Sequence, residues 1–176
     1  AIGGQEMLMP VLTPAELWKE TGRYSIPEVF KLHDRAGREF VLRMTHEETV
    51  TFHAREIKSY RELPKILYHL SVKDRDEPRP RGGLLRVREF IMKDAYSFDR
   101  DEAGLDESFG KHSRAYKRIF ERCGLETYEV AAESGIMGGS GSQDFLAPSG
   151  SGENTLVLCE NGDYAADIEI ATGIPS

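Results

Sequence analysis

Two arginines and one aromatic residue, set at fixed intervals, carry the most specific chemical signal in this sequence. Arg75, Asp76 and Glu77 open a segment rich in Arg, Pro and Gly, and Arg86 stands four residues before Phe90. A guanidinium fork holds phosphate oxygens two at a time. An aromatic ring on the same face of an extended strand offers a plate for a base. Between Lys73 and Lys93 there are seven basic residues (Lys73, Arg75, Arg79, Arg81, Arg86, Arg88, Lys93) against four acidic ones. Such a local excess attracts a phosphate-bearing ligand. The charges alone would suit an exposed, salt-bridged hairpin; the joint spacing of Arg75, Arg86 and Phe90 favours a ligand site. A second polar group, Thr45-His46-Glu47-Glu48, has the form of a capping box.

These groups need elements to hold them. Residues 65–73 predict a strand, 74–83 a loop, and 84–98 a second strand antiparallel to the first. Period two then sets Arg86, Arg88, Phe90, Met92, Asp94 and Tyr96 on one face, a poor core but a plausible ligand floor. Upstream, residues 5–12 are apolar with Pro10 among them, which predicts an edge strand or a strand at an interface. Thr13, Pro14 and Glu16 predict a helix start with a capping box, with Leu17 and Trp18 facing inward. Residues 29–33 and 39–43 predict a hairpin across Asp34-Arg35-Ala36-Gly37, and Thr45 with Glu48 a further helix start. Leu105, Phe109, His112, Tyr116, Ile119, Phe120 and Cys123 recur at helical spacing before Gly124, predicting an amphipathic helix with a glycine C-cap. Short strands are predicted at 126–132, 143–146 and 155–159. Antiparallel strands with interspersed helices indicate an α+β fold, an antiparallel sheet with flanking helices.

Other constellations are weaker. Gly138-Gly139-Ser140-Gly141 and Ser149-Gly150-Ser151-Gly152 lack the Lys-Ser/Thr and the strand-to-helix setting of a phosphate loop, and read as connections. His46 and His53 lack the spacing that aims two imidazoles at one zinc, and read as surface or structural residues. Cys123 and Cys159 read as buried free thiols. The 176 residues carry a net charge of −7, with 39% hydrophobic and 30% charged residues, a globular composition. The charge is uneven: residues 131–176 hold seven acids and no Lys or Arg, so the 23 bases and the other 23 acids of the chain lie in residues 1–130. Nucleic-acid binding that ignores sequence needs many phosphate contacts, so any such binding is local or supplied by other chain. No run approaches the ~18 apolar residues of a membrane span, and no leader opens the chain; no membrane association and a cytoplasmic location are expected.

Arg75-Asp76-Glu77, a loop, then Arg86-x-x-x-Phe90 resembles motif 2 of class II aminoacyl-tRNA synthetases, Phe-Arg-x-Glu, loop, His/Arg-x-x-x-Phe. Residues 4–12 with Pro10 are similar to the end of motif 1, whose proline lies at the dimer interface in that class. Met9-Pro10-Val11-Leu12, Leu17-Trp18-Lys19-Glu20, Thr45-His46-Glu47-Glu48, Arg75 through Arg81 and Arg88 through Phe98 resemble the bacterial-type prolyl-tRNA synthetases, and Gly138-Gly139-Ser140 and Tyr164-Ala165-Ala166 extend the likeness. The resemblance implies a class II catalytic core, ATP as substrate with Mg2+, proline and tRNA(Pro) as partners, and a homodimer when whole. It implies that Arg75 touches the α-phosphate and the proline carboxylate, that Glu77 accepts from the adenine amino group, that Arg86 holds the terminal phosphates and that Phe90 stacks on adenine. Thr45 and Glu47 match the Thr-x-Glu loop that receives the proline nitrogen; Met92 and Asp94 are further candidates for the proline pocket. No residue is assigned to the metal.

There are departures. Asp74 stands where the motif usually has Phe, and Gln143-Asp144-Phe145 stands where bacterial members show His-Glu-Phe. The Gly-rich motif 3, most of motif 1, the insertion and the anticodon-binding domain are not found. Residues 1–176 are therefore expected to be the first part of a catalytic domain, ending near the start of an insertion domain and weak or inactive alone. The alternative is a synthetase-like ligand-binding or regulatory module without aminoacylation activity.

Overall fold

A buried group of Ala15, Trp18, Val29, Val41 and Met44 forms the apolar centre on which the N-terminal elements assemble. The computed structural model describes residues 1–132, 141–161 and 164–173. Two units divide the chain, Ala1–Phe109 and Gly110–Ser176.

In the first unit, β2 (Leu12–Pro14), β3 (Phe30–His33) and β4 (Glu39–Leu42) make an antiparallel sheet in the order β2-β4-β3. The β3–β4 turn is closed by Asp34, whose Oδ1 accepts from the N–H groups of Ala36 and Arg38 at 2.8 and 2.9 Å. Gly37 takes the positive φ (+77°) that this turn requires. Helix α1 (Ala15–Glu20) buries Ala15 and Trp18. Its N-cap is Pro14, with no side-chain cap. The expected cap from Thr13 does not form: Thr13 is a strand residue, and its Oγ1 accepts from Arg43 Nε at 2.9 Å.

The second sheet has the order β1-β5-β6. Of the strand expected over residues 5–12 only β1 (Gln5–Glu6) forms at this sheet's edge, parallel to β5 (Lys65–Asp74), while Leu12 opens β2 in the other sheet. β5 pairs antiparallel with β6 (Glu89–Phe98) along ten residue pairs, placing Lys73 opposite Phe90, Ser71 opposite Met92, His69 opposite Asp94 and Leu67 opposite Tyr96. β6 starts five residues later than expected. Arg81 and Arg86 instead close on each other through paired backbone hydrogen bonds of 3.0 and 3.1 Å. Gly82 and Gly83, both at positive φ, make that turn. Arg86 and Arg88 thus belong to the loop and not to the strand face.

Helix α2 (Glu47–Ala54) follows β4, and α3 (Glu102–Arg122) contains the division between the units. Gly124, at φ +72°, ends α3 as expected. In the second unit β7 (Tyr128–Ala132), β8 (Ser142–Leu146), β9 (Leu156–Leu158) and β10 (Ala165–Asp167) form a sheet in the order β8-β7-β10-β9. Phe145 packs on Tyr116 and Phe120. Both cysteines are free, but Cys123 is exposed and Cys159 half-buried, contrary to the expectation that they are buried. Gly138-Gly139-Ser140 lies outside the described residues. The α+β class stands, and among the described residues no helix is long and apolar enough to cross a membrane.

Trp18 is fully buried at the centre of the first unit. Trp18→Ala is expected to cost roughly 3–5 kcal/mol, read as a lowered urea midpoint; a loss under about 1 kcal/mol would contradict the placement of this core.

Candidate functional site

The polar side chains that sequence reasoning singled out emerge from two neighbouring strand ends. β4 leads into Arg43-Met44-Thr45-His46 and then α2; β5 leads into Arg75. The backbone joins these ends: the Asp74 N–H donates to the Arg43 carbonyl at 2.9 Å, and the Arg43 N–H donates to the Val11 carbonyl at 3.2 Å. A third tie comes from β6, where Tyr96 Oη accepts the His46 backbone N–H at 3.0 Å. Arg75 Nε and Nη2 lie 3.4 and 3.5 Å from the Met44 carbonyl oxygen, next to Thr45.

The Arg75 guanidinium lies 5.2 Å from the centroid of the Phe90 ring, a cation–π separation. Burial pulls its pKa below the ordinary arginine value, and the carboxylates of Glu47, Glu77 and Glu28 pull the other way. Arg75, Phe90, Thr45 and Glu47 are thereby brought together. Glu77 and Arg86 meet in the loop, with Arg86 Nε 3.7 Å from Glu77 Oε2. Glu77 Oε1 accepts from the Arg79 N–H at 3.0 Å.

Thr45 and Glu48 do not form the expected capping box. The N-cap of α2 is His46, without a side-chain cap. Arg23 takes the oxygens instead: Nη2 donates to Thr45 Oγ1 at 2.8 Å, and Nη1 donates to Glu48 Oε1 at 2.8 Å and Glu47 Oε2 at 3.1 Å. Thr21 Oγ1 donates to the same Glu48 oxygen at 3.1 Å. No spacing rule ties residue 23 to residue 45, so Arg23 carried no signal in the sequence.

Met92 is half-buried on the predicted face of β6. Asp94, two residues on, is the centre of a buried network. Its Oδ1 lies 2.8 Å from Lys73 Nζ, its Oδ2 lies 2.8 Å from His69 Nε2, and Tyr96 Oη donates to Oδ2. Lys73 also donates to Ser71 Oγ at 2.6 Å. Lys73, His69 and His46 are all fully buried. Burial raises the Asp94 pKa, but hydrogen bonds from Lys73, Tyr96 and His69 more than offset it, and the carboxyl lies below its usual value. Reading β5 with the period used for β6 sets His69, Ser71 and Lys73 on the same face as Arg75, a signal that was present in the sequence. Asp74, the departure from the motif, is buried opposite Glu89. Burial first, and then the Glu89 charge, raises its pKa.

Among the described residues, His46, His69 and Asp94 form the one group with metal-ligand proximity, their ligand atoms lying within 4.8 Å of one another. The site suits a cation poorly, because Lys73 already occupies one Asp94 oxygen. Burial, then the charges of Lys73, Arg43 and His69, push His46 down to about 3. His46 is therefore a neutral packing partner, its ring edge-on to His69 at 4.3 Å, in agreement with a structural role.

The sequence model of the family described as tRNA synthetase class II core domain (G, H, P, S and T) matches residues 30–171. The proline–tRNA ligase of Thermodesulfovibrio yellowstonii is 57% identical over 173 residues, covering 97% of this chain and 30% of that protein. That of Desulforamulus reducens is 52% identical over 177 residues, covering 99% and 31%. The chain thus spans less than a third of the length of these curated relatives. Among solved structures, a prolyl-tRNA synthetase from Cryptosporidium parvum complexed with L-proline and AMP aligns with a TM-score of 0.69 at 18% identity, covering 80% of this chain and 29% of that one. The RNA binding domain of a threonyl-tRNA synthetase from Cryptosporidium parvum Iowa II aligns with a TM-score of 0.63 at 24% identity, covering 73% and 32%. These two likenesses concern the fold.

The buried imidazole gives stability a pH dependence. An unfolded histidine titrates near 6.5, whereas folded His46 accepts a proton only near pH 3. Between those values the unfolded chain binds more protons. Stability that is complete above pH ~6.5 is lost as pH falls, at up to ~1.4 kcal/mol per pH unit. The depressed Asp94 adds a further loss once pH drops below the unfolded carboxyl value of ~3.9. Urea unfolding between pH 7 and 4 is expected to show this slope, and His46→Gln to flatten it; an unchanged slope in that variant would place the titration elsewhere.

Proposed function

The chain belongs to the family of class II tRNA synthetase core domains, and on that premise we propose that it is part of a proline–tRNA ligase, the first portion of its catalytic domain. The reaction activates proline: a carboxylate oxygen attacks the α-phosphorus of ATP, pyrophosphate leaves, and a prolyl-adenylate forms. A terminal ribose hydroxyl of tRNA(Pro) then attacks the prolyl carbonyl, and AMP leaves. Both steps are gained by positioning and by fixed charge, and no side chain becomes covalent.

One observation carries this reading. The Arg75 guanidinium is held over Phe90 with its nitrogens toward the Met44 carbonyl, so a group for phosphate and carboxylate sits beside Thr45 and Glu47, a pair of oxygen acceptors. Arg75 bridges the α-phosphate and the proline carboxylate and stabilises charge on the transferring phosphoryl oxygens. Phe90 stacks on adenine. Glu77 accepts from the adenine amino group, and Arg86 exchanges its contact with Glu77 for the terminal phosphates. Thr45 and Glu47 receive the two N–H donors of the secondary ammonium. Met92 lines the pocket, and Asp94 supports its floor through Tyr96.

Magnesium binds oxygen ligands. The only ligand cluster among the described residues is rich in imidazole and flanked by Lys73, which does not fit that ion, and no step is assigned to it. We further propose a homodimer in the cytoplasm, engaged in protein synthesis. The exposed Leu8 and Leu12 on either side of Pro10 support the dimer.

The full-length protein is expected to catalyse proline-dependent exchange between ATP and pyrophosphate. Arg75→Ala is expected to lower that exchange by roughly a hundredfold or more. Exchange with a different amino acid would reassign the substrate. Binding of proline or ATP without any exchange would favour a ligand-binding module.

A further inference from the structure

We propose that Arg23 is the positioning residue of amino-acid selection: its guanidinium sets Thr45 and Glu47 in the arrangement that receives the substrate nitrogen. This rests on the reading of the site as one for proline.

Neither Thr45 nor Glu47 is fixed by the helix it precedes or begins, because α2 has no side-chain cap. The group that holds them comes from the opposite direction in sequence. Two Arg23 nitrogens reach three oxygens: Nη2 reaches Thr45 Oγ1, and Nη1 reaches Glu47 Oε2 and Glu48 Oε1. A planar fork does this at fixed angles, whereas the ammonium of a lysine is a single point charge. Thr45 Oγ1 accepts from Arg23 with one lone pair and keeps the other for a ligand N–H. Glu47 faces Arg23 through Oε2, and its second oxygen serves a ligand donor.

Charge pairing points the same way. Glu47 and Glu48 are neighbours at the start of a helix, and Glu48 has only 2% of its side chain exposed. Arg23 balances one of the two negative charges. Arg43 also interacts with Glu48 and Arg75 with Glu47, but Arg23 is hydrogen-bonded to both carboxylates at once. A buried carboxylate without its partner is costly, and the loop would rearrange to relieve it.

Arg23 is itself anchored. Its guanidinium carbon lies 5.0 Å from the ring of Trp18, and Trp18 belongs to the apolar core. Gly22, at φ +77°, turns the chain out of α1 immediately before it. The oxygen pair is thus referenced to the apolar core of the first unit.

The test uses the full-length protein with Arg23→Ala and Arg23→Lys, assayed by ATP–pyrophosphate exchange. Arg23→Ala is expected to raise the KM for proline by one to two orders of magnitude, in keeping with the ~10²-fold cost of misplacing a group by about an ångström. The KM for ATP is expected to stay within about twofold, and Arg23→Lys to recover part of the loss. Hydrogen exchange is expected to quicken at residues 45–50 and to stay unchanged across β5 and β6. An unaltered KM for proline would overturn the proposal. So would a parallel rise in both KM values with faster exchange throughout the first unit, which marks a structural role alone. If the unsubstituted protein shows no exchange with proline, the reading of the function falls, and the hydrogen-exchange comparison still decides whether Arg23 holds the loop.

Discussion

The backbone of Arg43 is the junction on which the arrangement of the site depends. Its N–H is bonded to Val11 and its carbonyl to Asp74, so one peptide segment joins the end of β4 to the end of β5. Because the two strands leave this point together, the residues that follow them, Thr45 to Glu47 on one side and Arg75 on the other, have to lie side by side. The side chain reinforces the junction through Thr13. Full burial pulls its guanidinium down to about 10, with Glu48 and Tyr96 pulling back, so it remains a cation at neutral pH. Backbone hydrogen bonds suit this task because they fix direction as well as distance.

Beside that junction, the face shared by β5 and β6 is polar where a sheet face is usually apolar. Lys73, His69, Ser71, Asp94 and Tyr96 are linked through the Asp94 carboxylate and the Lys73 ammonium, while His69 Nδ1 has no hydrogen-bond partner among the described residues. Buried charge is tolerated when it is paired and hydrogen-bonded, and hydrogen bonds in a low-dielectric interior hold their members in defined geometry. The network fixes Tyr96, and Tyr96 in turn holds the His46 backbone. The floor of the site and its wall are thus coupled through a phenol.

Much of this was legible in the sequence. The strand over residues 65–73 and the later part of the one expected over 84–98 announce themselves, and so do Arg75, Phe90, Thr45 and Glu47, whose types and spacing follow a known pattern. The failures share a cause. Thr13 and the pair Thr45/Glu48 read as local caps, worth about 1 kcal/mol each. In the fold their oxygens go to Arg43 and Arg23, since hydrogen bonds to charged groups are worth ~1.5–3 kcal/mol. A distant cation outcompetes a near amide, and no local pattern reports it. The late start of β6 has a different origin: two successive glycines at positive φ let Arg81 and Arg86 close a small turn, which carries Arg86 off the strand. Lys73 and His69 were within reach of period-two reasoning on β5.

The long-range hold of Arg23 on residues 45 to 48 also bears on how such sites can be transplanted. A protein engineer who moved only the short acidic segment onto another scaffold would leave its counter-ion behind, together with the indole that braces it. The portable unit is discontinuous: the stretch from Trp18 to Arg23 must travel with the loop it serves.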